Sequence, residues 1–348
     1  MHLRITASLA AMMVVAGVSA RMAAQPPAKA ASGTAHAAYA PPKTPWGDPQ
    51  IAGVYSNDDE TGIPFERPAQ FAGRRLEDIT PAELAAANKQ RNEQFNAGVA
   101  GTEFAGGLRP PTHLIFDSFE RKNSTAWLVV DPPDGAIPPL TEEARQRARQ
   151  PSSGLGRGVS SNINPVGPFD SYEDLGLYDR CITRGIPSSM MPAGYGSFYE
   201  IIQGQESVSL RYEMIHEHRV VPIDRGGVHQ PHLSERVHLD LGDARGWYEG
   251  NTLVVETTNF TARSAFRGAS EHLKMTERFT PIAPAVVEWR VTFDDPHTWA
   301  RPWTFAMILK QATHGEKLYE YACHEGNYGL KNILTGARAA DAAANAGR

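Results

Sequence analysis

Hydrophobic and polar residues alternate with a period of two along most of the second half of the chain. One face of residues 207–220 carries Val208, Leu210, Tyr212, Met214, His216, His218 and Val220. The same alternation recurs at 285–293 and 303–309, where tryptophan, phenylalanine and aliphatic residues occupy every second position. Because successive side chains of a β-strand point to opposite faces, this pattern predicts strands with one buried face. Further strands are predicted at 51–56, 251–260, 272–280 and 317–325.

These segments follow one another with short turns and without intervening helices, which favours an antiparallel meander. A meander of eight or nine strands most easily removes its exposed edges by curling shut. We therefore predict an all-β fold with peripheral helices, an antiparallel up-and-down barrel of about eight to ten strands. A β-sandwich is the alternative. Barrels of this size can hold one small ligand.

Helical signals are confined to the margins of the predicted barrel. Residues 80–95 begin with a Thr N-cap, Pro81 and an early glutamate, and continue with good helix formers. A second, mostly polar helix is predicted at 141–149. The composition before and after the barrel predicts a disordered linker at 25–45, a single barrel domain at 46–337 and a disordered tail at 338–348.

The first residues are typical of a secretory signal peptide. Arg4 precedes an apolar run at 7–18, which is too short to span a bilayer, and small residues offer cleavage after Ala20 or Ala24. We expect a signal peptide at 1–24 and a mature protein in the periplasm or secreted. No later run reaches 18 apolar residues, so no membrane span is predicted.

The net charge argues against nucleic-acid binding, and the cysteine content predicts one disulfide. The 348 residues include 34 Lys and Arg against 39 Asp and Glu, a net charge of -5 that provides no basic surface for nucleic acid. Cys181 and Cys323 are the only cysteines. In an oxidising compartment they favour one long-range disulfide, with two buried free thiols as the alternative. Oligomeric state is not encoded in any pattern of the sequence.

Several ionisable residues fall on predicted inner faces, where an unpaired charge is costly. His216 is the candidate general base, Glu277 or Glu320 the acid or orienting partner, and His324 completes a polar cluster. Such groups can exchange protons near neutral pH when burial shifts their pKa values. The residues expected to contact a small-molecule ligand are Arg184, Tyr212 and Trp289.

Two other interpretations of these residues stay open. Inward polar residues of small barrels often pair with one another and have only a structural role. Alternatively, His216 and His218 share a strand face and could bind zinc together with His232. The chain has no HExxH helix and no cysteine cluster, and no organic cofactor is implied.

The segments "PWGDP", "YDRCITRG", "YEMIH" and "YEYACHEGNY" resemble a large group of exported bacterial proteins whose reaction is not established. The resemblance covers about residues 45–337 and includes Cys181, His216, His232, Glu320, Cys323 and His324. At His218 the group is expected to differ, which weakens the zinc interpretation. The architecture is similar to lipocalin-like barrels, some of which bind apolar molecules while others, the carotenoid hydratases, add water to them.

The sequence thus favours a periplasmic barrel enzyme that performs cofactor-free acid/base chemistry on a small apolar or glycosidic molecule. Hydration, elimination and hydrolysis, the reactions of lyases and hydrolases, are the expected reaction types. A non-catalytic small-molecule binding protein and a zinc-dependent hydrolase are the alternatives.

Overall fold

The computed structural model describes residues 39–100, 121–149, 169–192, 196–263, 266–312 and 317–346. The predicted signal peptide and residues 25–38 of the predicted linker lie outside these ranges. The strands are β1 (Gly53–Ser56), β2 (Val129–Asp131), β3 (Phe198–Gln203), β4 (Ser207–Tyr212), β5 (His218–Pro222), β6 (Asp243–Glu249), β7 (Thr252–Thr258), β8 (Lys274–Ala283), β9 (Val286–Asp294) and β10 (Trp303–Gln311). The α-helices are α1 (Pro81–Ala100), α2 (Glu142–Arg149) and α3 (Tyr328–Ala346).

Nine of the strands form one nearly closed antiparallel barrel. Their order is β5-β4-β3-β1-β10-β9-β8-β7-β6, and β2 pairs with the first half of β10. A single parallel bridge between Ile223, just after β5, and Gly246 of β6 joins the two ends of this order. Strands adjacent in sequence are therefore adjacent in space around most of the ring, and the predicted up-and-down barrel is confirmed.

The parallel contact follows from the number of strands. In a ring of antiparallel neighbours the direction alternates, so an odd number of strands leaves one pair running the same way. Parallel neighbours need a connection that returns the chain to the starting end. Residues 223–242, here named the crossover loop, make that return between β5 and β6.

Aromatic side chains from β8, β9 and β10 fill the barrel interior. Trp289 and Phe305 meet edge to face at 5.3 Å between ring centroids, and Phe293 stacks on Trp303 at 4.4 Å. These four side chains and Phe279 are fully buried. Their alternation with polar outward residues is the period of two seen in the sequence.

The predicted helix at 80–95 is confirmed as the first part of α1. Thr80 and Glu83 cap its start reciprocally, since the Glu83 main-chain N–H donates to Thr80 Oγ1 at 3.3 Å and the Thr80 N–H donates to Glu83 Oε2 at 2.9 Å. Buried Ala87 of this helix packs with Phe71 and Trp127 in a small core outside the barrel. α2 is confirmed at the second predicted position, with Thr141 Oγ1 accepting from the Ala144 N–H.

The C-terminal segment differs from the sequence-based expectation. Residues 317–325 form no strand, and they cannot pair with the preceding strand because β10 already has β9 on one side and β1 and β2 on the other. Residues 338–346, where the sequence predicts a disordered tail, continue α3 to Ala346. These residues are rich in alanine, which has the highest intrinsic helix propensity.

The predicted disulfide is confirmed between Cys181 and Cys323, whose Cα atoms lie 5.7 Å apart. It fastens residues 317–327 to the connection that precedes β3 and is consistent with an oxidising compartment. Among the residues that the structure describes, no helix combines the length and the apolar composition that a transmembrane crossing requires.

Candidate functional site

A cavity of about 290 Å³ lies at one end of the barrel, the end at which β1 and β7 finish and β3 and β8 begin. Three connections form it: the residues after β1, the residues before β3, and the β7–β8 connection. Its lining consists of Glu60, Gly62, Ile63, Phe65, Leu128, Arg184, Ser188, Met191, Pro192, Phe266 and Arg267. Its volume is at the lower end of the range for ligand sites, which is about 300–1,000 Å³.

Glu60 supplies the carboxyl group of this cavity. The residue is only 1 % exposed, and its Oε2 accepts hydrogen bonds from the Ser124 hydroxyl at 2.7 Å and the Ser124 N–H at 3.3 Å. Oε1 is buried and has no hydrogen-bond partner among the described residues. Burial raises the pKa of Glu60 to about 7, against the opposing effects of the Ser124 hydrogen bonds and the charge of Lys310. The group therefore changes protonation state near neutral pH.

The charged neighbours of Glu60 partly offset one another. Lys310 and Asp59 form an ion pair at 2.6 Å. The charge of Lys310 lowers the pKa of Glu60, and the charge of Asp59 raises it. Arg91 of α1 lies near enough to interact electrostatically with Glu60 but is itself hydrogen-bonded to Asn123. Desolvation consequently dominates the pKa of Glu60.

Arg184 contributes a guanidinium group from the connection that precedes β3. Its Nη1 is buried without a hydrogen-bond partner among the described residues, which is unusual for a strong donor. The disulfide at Cys181 holds one side of this connection. On the other side Glu217, in the β4–β5 turn, accepts from the Ser189 hydroxyl at 2.8 Å and from the Arg184 main-chain N–H. The sequence-based expectation that Arg184 faces a ligand site remains a prediction, and the structure places the residue in the cavity lining.

The β7–β8 connection supplies Phe266 and Arg267. The Arg267 guanidinium lies over the Phe65 ring, 4.6 Å from its centroid, and the residue is exposed at the edge of the cavity. Phe266 stacks on Phe293 of the barrel core at 5.1 Å. The apolar wall is therefore continuous with the barrel interior, while the charged groups lie on the connections.

The barrel interior contains a separate polar cluster. Glu277 is fully buried, forms an ion pair with Arg219 and accepts from the Trp289 indole N–H at 3.2 Å. Tyr212 lies beside Arg219, and burial raises the pKa of its hydroxyl. Glu277, Trp289 and Tyr212 were predicted to be catalytic or ligand-binding. The structure brings them together with Arg219, but they do not line the cavity described above.

His216 and His218 do not lie on the inner face that the alternation predicts. Ile215 and His216 both adopt left-handed backbone conformations, and this turn shifts the alternation by one residue. In β5, Arg219 and Val221 are buried whereas His218 and Val220 are exposed. His216 is also exposed. The candidate general base thus lies on the surface of the β4–β5 turn.

Glu320 and His324 are likewise exposed, in the irregular segment that the disulfide fastens to Cys181. The inner-face placement of these two residues depended on a strand at 317–325, which does not form. The structure brings neither residue to Glu277 or to the cavity lining.

The three histidines of the zinc interpretation are not brought together. His232 lies on the crossover loop, where its Nδ1 is 2.9 Å from Asp243 Oδ2 and its Nε2 is 3.3 Å from Glu256 Oε1. Both ring nitrogens therefore face carboxylates of β6 and β7. Within the described ranges, no three His, Cys, Asp or Glu side chains form a cluster suited to a metal ion.

Sequence patterns did not indicate Glu60 or Arg267 as cavity residues. Glu60 ends the run Asn57–Asp–Asp–Glu60, which has the composition of a solvated turn. Only the tertiary structure shows that Asp58 is exposed while Glu60 turns inward. Arg267 follows Phe266 in a short segment that is otherwise made of small residues and carries no strand or helix signal.

The fold and the site define the class: a nearly closed antiparallel β-barrel with a small cavity at one end, lined by a buried carboxyl group, two arginines and aromatic side chains. In comparisons with known proteins, no protein-family description and no curated protein matches the chain.

Proposed function

We propose that the protein is an exported enzyme that performs acid/base chemistry on a small molecule bound in the cavity, with Glu60 as the group that transfers the proton. Hydration, elimination and hydrolysis all need such a group. The observation that carries the proposal is a carboxyl group buried in a ligand-sized cavity with one oxygen unpaired.

The environment of Glu60 supports this role. A general acid or base works best when its pKa is near the ambient pH, and burial brings the pKa of Glu60 to about 7. Ser124 fixes the carboxyl group through Oε2 and leaves Oε1 without a partner among the described residues. Arg184 and Arg267 can stabilise a carbonyl or anionic oxygen on which charge develops. Phe65 and Phe266 give the cavity an apolar wall against which a ligand can pack.

The geometry favours Glu60 over His216 as the proton-transfer group. His216 is exposed and lies in a turn, whereas Glu60 is buried and belongs to the lining of the cavity. Glu277 instead pairs with Arg219 and Trp289 inside the barrel, away from the cavity lining, and we assign this ion pair to the core.

A non-catalytic binding protein is the second candidate. Glu60 is the only carboxylate or imidazole among the described residues that line the cavity. A site with a single proton-transfer group is sufficient for binding, and it limits catalysis to reactions in which one group both accepts and returns the proton.

The proposal is tested by incubating the wild-type protein and Glu60→Gln with a metabolite extract of the source cells and following all masses. We expect the wild-type protein to convert at least one component with gain or loss of one water, or to split it by hydrolysis. Glu60→Gln should be at least about 100-fold slower, because removal of a general acid or base costs this much.

Glu206→Gln is the matched control. Glu206 is exposed in the β3–β4 turn, at the opposite end of the barrel, and its replacement should leave the rate unchanged. Equal turnover by Glu60→Gln and wild type would exclude Glu60 from the chemistry. A component that is retained by the protein but never altered would instead establish the binding protein.

A further inference from the structure

The cavity lining combines two cationic side chains with an apolar surface. Arg184 and Arg267 come from two different connections and both line the same space of about 290 Å³. The apolar part of the lining includes Ile63, Phe65, Leu128, Met191 and Phe266, and the Arg267 guanidinium lies over the Phe65 ring. A ligand that matches both kinds of lining must carry an anionic group and an apolar body.

Arg184 has no close carboxylate partner in the described part of the cavity lining. Glu60 is the only acidic residue among the described residues that line the cavity, and Arg184 is not among the groups whose charge shifts the pKa of Glu60. Arg184 Nη1 lies buried without a hydrogen-bond acceptor among the described residues. An unsatisfied buried donor is costly, and an acceptor brought by a ligand would remove that cost.

The surroundings favour a singly charged anion. A guanidinium group binds carboxylate and phosphate equally well in geometry, through two parallel hydrogen bonds. A dianion, however, loses more hydration in a small apolar cavity, and it would also repel the Glu60 carboxyl that shares the space. A monocarboxylate incurs a smaller loss of hydration and a weaker repulsion.

We propose that the cavity selects small monocarboxylic acids with an aromatic or aliphatic body, whose carboxylate is held by Arg184 and Arg267. This inference names the ligand class of the site and rests on the proposed function only in using the same cavity. The aromatic or aliphatic body packs on Phe65 and Phe266, which continue the barrel core.

The experiment is a ligand-observed NMR titration of the full-length folded protein with phenylacetate and hexanoate. Phenylacetamide is the neutral counterpart of phenylacetate, and phenyl phosphate is the dianionic one. We expect saturable binding of at least one carboxylate at millimolar concentration or below. Phenylacetamide should bind about tenfold or more weakly than phenylacetate, as expected for loss of a charge-assisted hydrogen bond. Phenyl phosphate should also bind about tenfold or more weakly, because a dianion loses more hydration in the cavity.

Arginine variants assign the recognition to the cavity. Arg184→Gln and Arg267→Gln should each weaken carboxylate binding by about tenfold. Arg184→Lys, which keeps the charge but not the paired donors, should fall between wild type and Arg184→Gln, and it serves as the second variant if Arg184→Gln does not fold. The matched control is Arg278→Gln, whose guanidinium pairs with Glu249 on the outside of the barrel, and its affinity should equal that of wild type.

Three results would overturn the inference: no saturable binding of either carboxylate, equal binding of phenylacetate and its amide, or undiminished binding by the Arg184 and Arg267 variants. Tighter binding of phenyl phosphate would replace carboxylate by phosphate as the ligand class. The test of the proposed function is independent of this one. Full turnover by Glu60→Gln removes the acid/base role and leaves carboxylate recognition intact, whereas failure of the arginine variants leaves the Glu60 result unaffected.

Discussion

At the scale of single residues, Glu60 and Glu277 show two ways to keep a carboxyl group away from water. Glu277 forms an ion pair with Arg219 and receives a further hydrogen bond from Trp289. Glu60 has Ser124 as its hydrogen-bond partner and forms no ion pair among the described residues, so desolvation outweighs the charge of Lys310 and raises its pKa to about 7. The first arrangement stabilises a charge, and the second leaves the group able to gain or lose a proton.

The raised pKa of Glu60 predicts a specific dependence of stability on pH. Its pKa is about 7 in the folded state against an ordinary value of 4.5, so between these values the folded protein holds a proton that the unfolded chain releases. The favourable contribution is complete below pH 4.5 and is lost as the pH rises through 7. The full difference is on the order of 3 kcal/mol.

Glu60→Gln removes this titration while keeping an oxygen acceptor for Ser124. Relative to wild type, we expect the variant to gain up to about 3 kcal/mol in free energy of unfolding as the pH rises from 5 to 8. Urea denaturation at the two pH values measures the difference, with exposed Glu206→Gln as the control. Parallel behaviour of Glu60→Gln and wild type would show that Glu60 has an ordinary pKa.

The alternation of residue types shows which side chains face the barrel interior only where no turn interrupts the strand. The alternation in residues 285–293 correctly places Trp289 in the core, because no turn interrupts it. In residues 207–220 the same reasoning fails after Tyr212. There Ile215 and His216 take left-handed conformations that usually require glycine or asparagine, so the sequence carries no signal of the turn.

At the scale of elements, the β4–β5 turn gives a test of this explanation. His216 is exposed and has a φ of 59°, a conformation that costs a residue with a side chain about 1 kcal/mol relative to glycine. We expect His216→Gly to raise the free energy of unfolding by up to about 1 kcal/mol and to leave binding in the cavity unchanged. His216→Ala, which keeps the unfavourable Cβ, should give no increase. A loss of stability in His216→Gly would mean that the imidazole makes a contact of structural importance.

Elements with strong local signals could be predicted from the sequence. Helix α1 has a reciprocal cap and helix-forming residues, and β8, β9 and β10 have long alternating stretches. The segment 317–325 also alternates but forms no strand, and the preceding strand β10 is already paired on both sides, so alternation alone does not predict pairing. The cavity could not be predicted, since its three contributing connections contain no periodic pattern and meet only in the folded barrel.

At the scale of the whole molecule, the disulfide joins two regions separated by 142 residues. It connects the irregular segment after β10 to the connection that carries Arg184. In the chain-entropy model, a cross-link closing a loop of this length stabilises the folded state by about 5 kcal/mol.

The double variant Cys181→Ser/Cys323→Ser should therefore lose about 5 kcal/mol in free energy of unfolding. Carboxylate affinity should also decrease, because Arg184 follows Cys181 by three residues and loses one of its two anchors. Urea denaturation and the NMR titration measure the two effects. Unchanged affinity in the folded double variant would show that Glu217 alone positions the connection.

The ring of nine strands also determines how the molecule can come apart. Eight of the junctions are ladders of paired residues, and the ninth, between β5 and β6, is one bridge. Thermal opening at that junction breaks the fewest main-chain hydrogen bonds, and it leaves one continuous sheet that runs from β5 to β6 with its eight ladders intact. Because the number of strands is odd, the β5–β6 junction is the weakest part of the ring. Partial unfolding should therefore begin there, while the eight ladders remain paired.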